Sequence, residues 1–189
     1  MSGQDQPAWF ETIDSREVYA GFSTIRIDTV RTPDGQRMER EIVERPDAVA
    51  VVAVDTDGRI LLLKQYRQPV GGYVVEVPAG LLDVEGEQPE AAARRELAEE
   101  IQHEAELLVH LITFVNSAGW ATERTHVYLA EGCRPTPMPE GFVPKSEEAD
   151  MEVVPMVAAD AFEAVHDGSI VDAKTVIGLL LAEPRMTSG

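Results

Sequence analysis

Three glutamates, Glu96, Glu99 and Glu100, crowd the segment Arg94-Arg95-Glu96-Leu97-Ala98-Glu99-Glu100. On an α-helix, residues three and four apart share one side, so the Glu96 carboxylate projects beside those of Glu99 and Glu100. Carboxylates this close repel one another unless something positive lies between them. A hard divalent cation with oxygen ligands is the natural candidate, above all Mg²⁺ shared with substrate phosphates. The competing interpretation is a solvated acidic face stitched by Arg94 and Arg95 to nearby glutamates, worth roughly a few tenths of a kcal/mol per pair. Acids four apart on a helix are ordinary, so the helix taken alone favours the solvated face.

The surrounding segments must position that helix, which is expected over Glu87 to Gln102. Pro89 suits a first helical turn, where its missing N–H costs nothing, and Glu87 and Glu90 sit well near the positive end of the dipole. Ala93, Leu97 and Ile101 recur at every fourth position and form an apolar stripe facing the core. A strand over Tyr73–Val77 stops at Pro78, and Pro78-Ala79-Gly80 reads as a turn opening a loop into the helix. Upstream, Ala48–Val54 and Ile60–Leu63 flank Asp55-Thr56-Asp57-Gly58. Both runs are apolar enough to be buried on two faces at the centre of a sheet. Ser23–Val30 and Arg37–Val43 around Thr32-Pro33-Asp34-Gly35 predict an N-terminal β-hairpin. Leu107–Val115, His126–Ala130 and Met151–Val157 read as further strands, and Glu131–Ala149 as a long loop. Ala159–His166, ended by Asp167-Gly168, and Asp172–Leu181 read as helices. The sum is an α/β chain with a mixed sheet between helical layers.

Composition narrows the chemistry. The 189 residues are 44% hydrophobic and 26% charged, near the averages for a folded globular domain, and long enough for one well-buried core. With 34 acidic against 16 basic residues the formal charge is −18, which would repel the phosphate backbone of a nucleic acid. A small phosphorylated substrate meets the same repulsion unless divalent cations stand between it and the carboxylates. No apolar run reaches the roughly 20 residues of a membrane span. The N-terminal stretch has neither a basic leader nor an apolar signal core, so a cytoplasmic location is expected. Cys133 is the single cysteine, which excludes an intrachain disulfide, fits a reducing compartment and reads as an inert thiol.

Taken together, Gly80, Glu87, Arg95-Glu96-Leu97 and Glu99-Glu100 resemble the Nudix box, G-x5-E-x7-R-E-U-x-E-E-x-G-U, where U is a bulky aliphatic. Six residues instead of five separate Gly80 from Glu87, Gln102 stands where the box has glycine, and His103 where it has an aliphatic. None of these departures touches the carboxylates. Arg40 to Arg45, Lys64-Gln65-Tyr66-Arg67, Gly71-Gly72-Tyr73, Val75 to Gly80, Ser117-Ala118-Gly119 and Glu147 to Asp150 are similar to the ADP-ribose pyrophosphatase branch. The likeness covers most of the chain after about residue 17. It implies a Nudix-type α/β/α sandwich with a mixed β-sheet plus an N-terminal β-hairpin. Residues 1–46 would be an N-terminal β region serving as a dimer arm, and residues 47–189 the hydrolase domain.

The resemblance also implies roles. Glu96 and Glu100 would bind Mg²⁺, with Mn²⁺ the alternative, helped by the backbone carbonyl of Ala79 and joined by Glu99. Arg67 would contact phosphate through its guanidinium fork, with an ordinary surface ion pair as the competing reading. The general base would come from Glu147, Glu148 or Asp150, with Glu147 favoured. Arg40, Glu41 and Arg45 would hold the nucleoside end, Leu81 would line the substrate, and Ser117 and Glu123 would touch the terminal ribose. Phe22 or Trp9 would offer adenine an aromatic face, although both could equally be core residues. The expected reaction splits a nucleoside diphosphate sugar, ADP-ribose first, into AMP and ribose 5-phosphate, in a homodimer joined through its N-terminal region. The alternatives are another nucleotide sugar, a dinucleotide polyphosphate, a damaged nucleotide, or a binding module without turnover.

Overall fold

The computed structural model of the chain describes residues 10–143 and 150–187. It divides into two compact units, the described part of Met1–Pro46 with Val115–Glu123, and Asp47–Phe114 with the described part of Arg124–Gly189.

The larger unit is organised by β4 (Ala48–Asp55), in which every residue except the last is buried. This strand pairs antiparallel with β5 (Arg59–Arg67) and parallel with β10 (Arg124–Pro135), making the sheet mixed. Beyond β5 lies β11 (Glu152–Val157), and beyond β10 lies β8 (His103–Glu104). Three further strands attach to this path: β6 (Gly72–Glu76) on β5, β7 (Ala79–Leu81) on β4, and β9 (Leu107–Val115) on β10.

Strand geometry sends alternate side chains to opposite faces, and both faces are covered. Val49, Val51 and Ala53 pack with Ala92, Ala93, Leu97 and Ile101, the apolar stripe of α1 (Pro89–Glu100) and its first following residue. Ala50, Val52 and Val54 pack with Ala161 and Phe162 of α2 (Ala158–His166) and with Leu179 and Ala182 of α3 (Ala173–Thr187). The expected α/β/α sandwich is therefore present. Gly178 sets how closely α3 approaches, because a Cβ there would lie 2.9 Å from Val52 Cγ2.

The smaller unit holds an antiparallel sheet of β1 (Glu11–Ala20), β2 (Thr24–Arg31) and β3 (Arg37–Glu44), in that order. The expected hairpin is β2 and β3, and β1 extends it. That strand escaped the sequence reading because Ile13, Val18 and Tyr19 do not alternate. Its register slips between Thr12 and Asp14 and between Glu17 and Tyr19, and nearly all of it is exposed. Backbone bonds between Val43 and both Trp120 and Thr122 fasten the segment Val115–Glu123 onto β3.

Elsewhere the structure moves several expected boundaries. Ala79–Leu81 is a strand, since Ala79 and Gly80 pair with Ala50 and Val49. β10 runs on to Pro135, five residues into the expected loop, supported at its end by His103 and Glu104. α3 continues past Leu181 through Pro184 to Thr187. A proline removes one helical donor and crowds the carbonyl four residues before it, and this one does so only in the last turns of the helix.

Gln102 has a plain structural reading. Among the described residues it is the one non-glycine with positive φ, at 53°, directly after the Ile101 cap whose N–H reaches Leu97 O. That is the left-handed position with which helices commonly end, usually on glycine. Glutamine here keeps the glycine conformation and carries its strain, about 1–2 kcal/mol. A glycine would relieve the strain but lose roughly 0.4–1 kcal/mol through a freer unfolded chain. Gln102→Gly should therefore stabilise the protein by roughly 0.5–1 kcal/mol and raise Tm by about 1–4 °C, read by thermal unfolding. A lowered Tm would mean that the glutamine side chain contributes more than its backbone costs.

Candidate active site

Arg95 is the centre of the α1 constellation. Its Nε and Nη2 donate to the two Glu87 oxygens at 3.1 and 3.0 Å, its Nη1 to Glu96 at 2.6 Å and to Glu99 at 2.9 Å, and its Nη2 also to the Leu81 carbonyl at 3.3 Å. The spacing of eight residues brings Glu87, just before the helix, against Arg95 after two turns. The Glu87 hydrogen bonds, followed by the Glu96 and Glu99 carboxylates, raise the guanidinium well above its already high proton affinity despite burial. Arg94, one position along, points to the Ala105 carbonyl and Glu90 instead. Of the two arginines, Arg95 is the one that serves this cluster.

Glu96 and Glu100 carry the unusual electrostatics. Burial, reinforced by the negative charges of Glu99 and Asp83, pushes Glu96 up to about 7 even though Arg95 pulls the other way. Burial and the charge of Glu96 push Glu100 up to about 8, against the Ala79 amide, Lys174 and Arg67. The Ala79 N–H donates to Glu100 Oε2 at 2.8 Å, tying β7 to the last turn of α1. Beside it, Gly80 leaves the Glu96 carboxylate its place: a Cβ there would overlap that carboxylate and push it aside. A buried and a half-buried carboxylate that resist ionisation, with hard oxygen donors and room kept by a glycine, fit a divalent cation. Among the described residues no group of three or more His, Cys, Asp or Glu is arranged to close around an ion. Arg95 instead occupies Glu96 and Glu99.

A second network, which the sequence reading missed, lies behind the same turn. Arg67 forks onto Glu76, Nε to Oε1 and Nη2 to Oε2, both at 2.7 Å. Lys174 Nζ donates to Glu76 Oε2 at 2.5 Å and to Asp172 Oδ1 at 3.0 Å. Burial alone would raise Glu76, yet Arg67 and Lys174 together hold it below the usual carboxylate range. The other Asp172 oxygen accepts the Thr175 N–H and hydroxyl, and Thr175 Oγ1 in turn accepts the Val77 N–H at 2.9 Å. The available signals were a lone acid inside the apolar run Tyr73–Val77 and an aspartate at the start of a helix.

The remaining expected site residues fall into three groups. In the smaller unit Arg45 lies over the Phe22 ring, 5.2 Å from its centre, and within 3.9 Å of Glu123. Its Nε is buried without a partner among the described residues. Arg40 donates to the Glu39 carbonyl; Arg40, Glu41 and Ser117 are exposed, and the Ser117 carbonyl closes a turn with Trp120 and Ala121. In the larger unit Leu81 pairs with Ala48. Asp150 accepts a 2.7 Å hydrogen bond from the Tyr73 hydroxyl, at a cavity of about 300 Å³ also lined by Lys64, Met151 and Glu152. Trp9, Glu147 and Glu148 lie outside the described residues.

A family model described as the NUDIX domain matches residues 44–174. The chain is 41% identical over 181 residues to an ADP-ribose pyrophosphatase of Mycobacterium tuberculosis, covering 95% of this chain and 86% of that one. It is 35% identical over 170 residues to a methanol dehydrogenase activator of Bacillus methanolicus, covering 89% and 90%. A crystal structure of an ADP compounds hydrolase superposes with a TM-score of 0.82, covering 97% of both chains at 22% identity, a likeness of fold. The domain match spans the sheet, the Arg95-centred helix and Lys174, and on that ground the chain belongs to the Nudix hydrolase family.

Proposed function

We propose that the chain is a divalent-metal-dependent pyrophosphohydrolase acting on a nucleoside diphosphate sugar, with ADP-ribose cleaved by water to AMP and ribose 5-phosphate. The observation that carries this reading is the buried Glu96 and the half-buried Glu100 beside Gly80, with Arg67 and Lys174 close enough to act on Glu100. The similarity to ADP-ribose pyrophosphatases over most of the chain supports the substrate class.

In this reading Glu96, Glu100 and the Ala79 carbonyl hold Mg²⁺ or Mn²⁺, with Glu99 as a further ligand or catalytic acid once released from Arg95. The metal supplies charge neutralisation on the diphosphate and its leaving group. Arg67 presents its guanidinium to phosphate while Glu76 fixes the plane of the fork. Leu81 lines the substrate. Arg40, Glu41 and Arg45 contact the nucleoside end, Phe22 or Trp9 gives adenine an aromatic face, and Ser117 and Glu123 contact the terminal ribose. The base that takes a proton from the attacking water is Glu147, with Glu148 next. Asp150 is the weaker choice, because Tyr73 already occupies one of its oxygens.

The N-terminal β region, residues 1–46, serves as a dimer arm to the hydrolase domain at 47–189. Support comes from β1, a long edge strand with Val18 48% and Tyr19 57% exposed. An edge of that kind is a template for a second chain. No helix of the described residues is long and apolar enough to cross a membrane, and a cytoplasmic location belongs to the same proposal.

The test is to incubate the protein with Mg²⁺ and a panel of nucleoside diphosphate derivatives in ¹⁸O water and identify products by mass. AMP released from ADP-ribose well above the other substrates is the expected result, with the label showing which phosphorus is attacked; uniform inactivity would leave a binding module instead. Glu100→Gln keeps an acceptor for the Ala79 amide and should remain folded. It should lose more activity than the roughly 100-fold typical of changes around a metal's ligands. Near-normal turnover would remove Glu100 from the metal site.

A pH dependence follows from the same pair. In the metal-free protein Glu96 and Glu100 keep their protons up to about 7 and about 8, against an ordinary carboxylate value of 4.5. The folded chain thus binds more protons than the unfolded chain over that interval, so this stabilisation is present at low pH and fades as pH rises through 7 to 8. Holding a cation requires both groups ionised, so Mg²⁺ should raise Tm more at about pH 8.5 than at about pH 5.5. Equal shifts at the two pH values would contradict the assignment.

A further inference from the structure

Between Glu76 and Ala79 the chain changes partners. β6 ends its pairing with β5 at the register Leu63–Glu76, and β7 begins pairing with β4 at Ala50–Ala79. Val77 and Pro78 therefore stand outside both ladders, and Pro78 has no N–H to give. Two hydrogen bonds hold the crossing: Val51 N–H to the Pro78 carbonyl at 2.9 Å, and Val77 N–H to Thr175 Oγ1 at 2.9 Å. Immediately after it comes the Ala79 amide that binds Glu100.

Thr175 is itself completely buried, and its hydroxyl is fully committed. It donates to Asp172 Oδ2 at 2.6 Å and accepts from Val77, so its rotor has one orientation. Asp172 also receives the Thr175 backbone N–H at 3.0 Å, which locks the first turn of α3. One turn along the same face, Gly178 lets the helix lie against Val52 and Val127. That close approach brings the Thr175 hydroxyl within reach of Val77.

We propose that Thr175 is a positioning residue for the metal-binding turn: through Val77 its hydroxyl sets the placement of the Ala79 amide and carbonyl, and hence the aim of Glu100. This deepens the proposed function and rests on it for the role of Glu100. It assigns work to a helix that contributes no ligand in that reading. The chemistry is that of an outer shell, in which hydrogen bonds orient the groups that touch the ion and typically govern about 10- to 100-fold in affinity or activity.

The test compares Thr175→Val with Thr175→Ser in the full chain. Valine removes the acceptor for Val77 but leaves Asp172 capping the helix N–H; serine restores the hydroxyl. Three quantities are read: amide hydrogen exchange at Ala79, Mn²⁺ affinity by EPR titration, and kcat with KM for ADP-ribose. In Thr175→Val the Ala79 amide should exchange at least about 10-fold faster while Leu97 and Ile101 keep their protection. Mn²⁺ should bind about 10-fold more weakly and kcat should fall with KM little changed, and Thr175→Ser should recover all three. A lowered Tm with unchanged Ala79 exchange, Mn²⁺ affinity and kcat would reduce Thr175 to a packing residue and overturn the proposal. A wild type that neither binds Mn²⁺ nor hydrolyses the substrate, with Ala79 still deprotected in Thr175→Val, would overturn the functional reading while supporting the positional link.

Discussion

Glu87, just before α1, and Glu96, Glu99 and Glu100, in its last turns, have a single guanidinium among them, and much of the larger unit is arranged around that imbalance. Arg95 meets three of these carboxylates directly, leaving Glu100 to a backbone amide and to the more distant Arg67 and Lys174. Buried charges are costly unless paired and hydrogen-bonded, and removing one partner exposes the full penalty. Burial first, and the neighbouring negative charge second, make Glu96 and Glu100 resist ionisation, and the surplus charge makes a divalent cation the chemically natural complement. The acidity of the whole chain is a separate matter, since most of its carboxylates lie on the surface, where they mainly favour solubility.

The fold sets this cluster by rigid means. β4 is apolar on both faces, so helices on either side are fixed against it: α1 with the carboxylates on one face, α3 with Asp172, Lys174 and Thr175 on the other. β6 and β7 pass between these layers. The crossing from β6 into β7, from Val77 to Ala79, is consequently gripped from both helices, by Thr175 on one side and Glu100 on the other. Close packing transmits small displacements instead of absorbing them, so the missing side chains at Gly80 and Gly178 are as much part of the arrangement as the charges.

The smaller unit obeys different physics. Its sheet buries little, and the buried Asp28 carboxylate is satisfied within the sheet by Ser15 and Arg26. Hydrogen bonding from Ser15 outweighs burial and keeps that carboxylate below its ordinary range. A sheet so exposed has little core of its own.

The sequence by itself determined the parts governed by short-range pattern. The apolar runs of β4 and β5, the Pro89 helix start, the stripe Ala93, Leu97, Ile101 and the spacing from Glu87 to Arg95 all follow from periodicity and local chemistry. Through them the α/β/α layering and the acidic helix were legible, as was the family likeness. The irregular strand β1, the pairing of Ala79–Leu81 with β4 and the extension of β10 were not, because ladder partners, not local preference, decide them. Tertiary structure alone brought Lys174 and Thr175 to the strand around Glu76 and Val77, nearly a hundred residues away. It gave Arg67 a buried carboxylate partner and turned Gln102 from an unexplained departure into a strained left-handed cap. Local sequence can specify a helix face or a turn; which distant polar groups will satisfy one another inside a dry core is settled only when the layers close and every buried donor must find its acceptor.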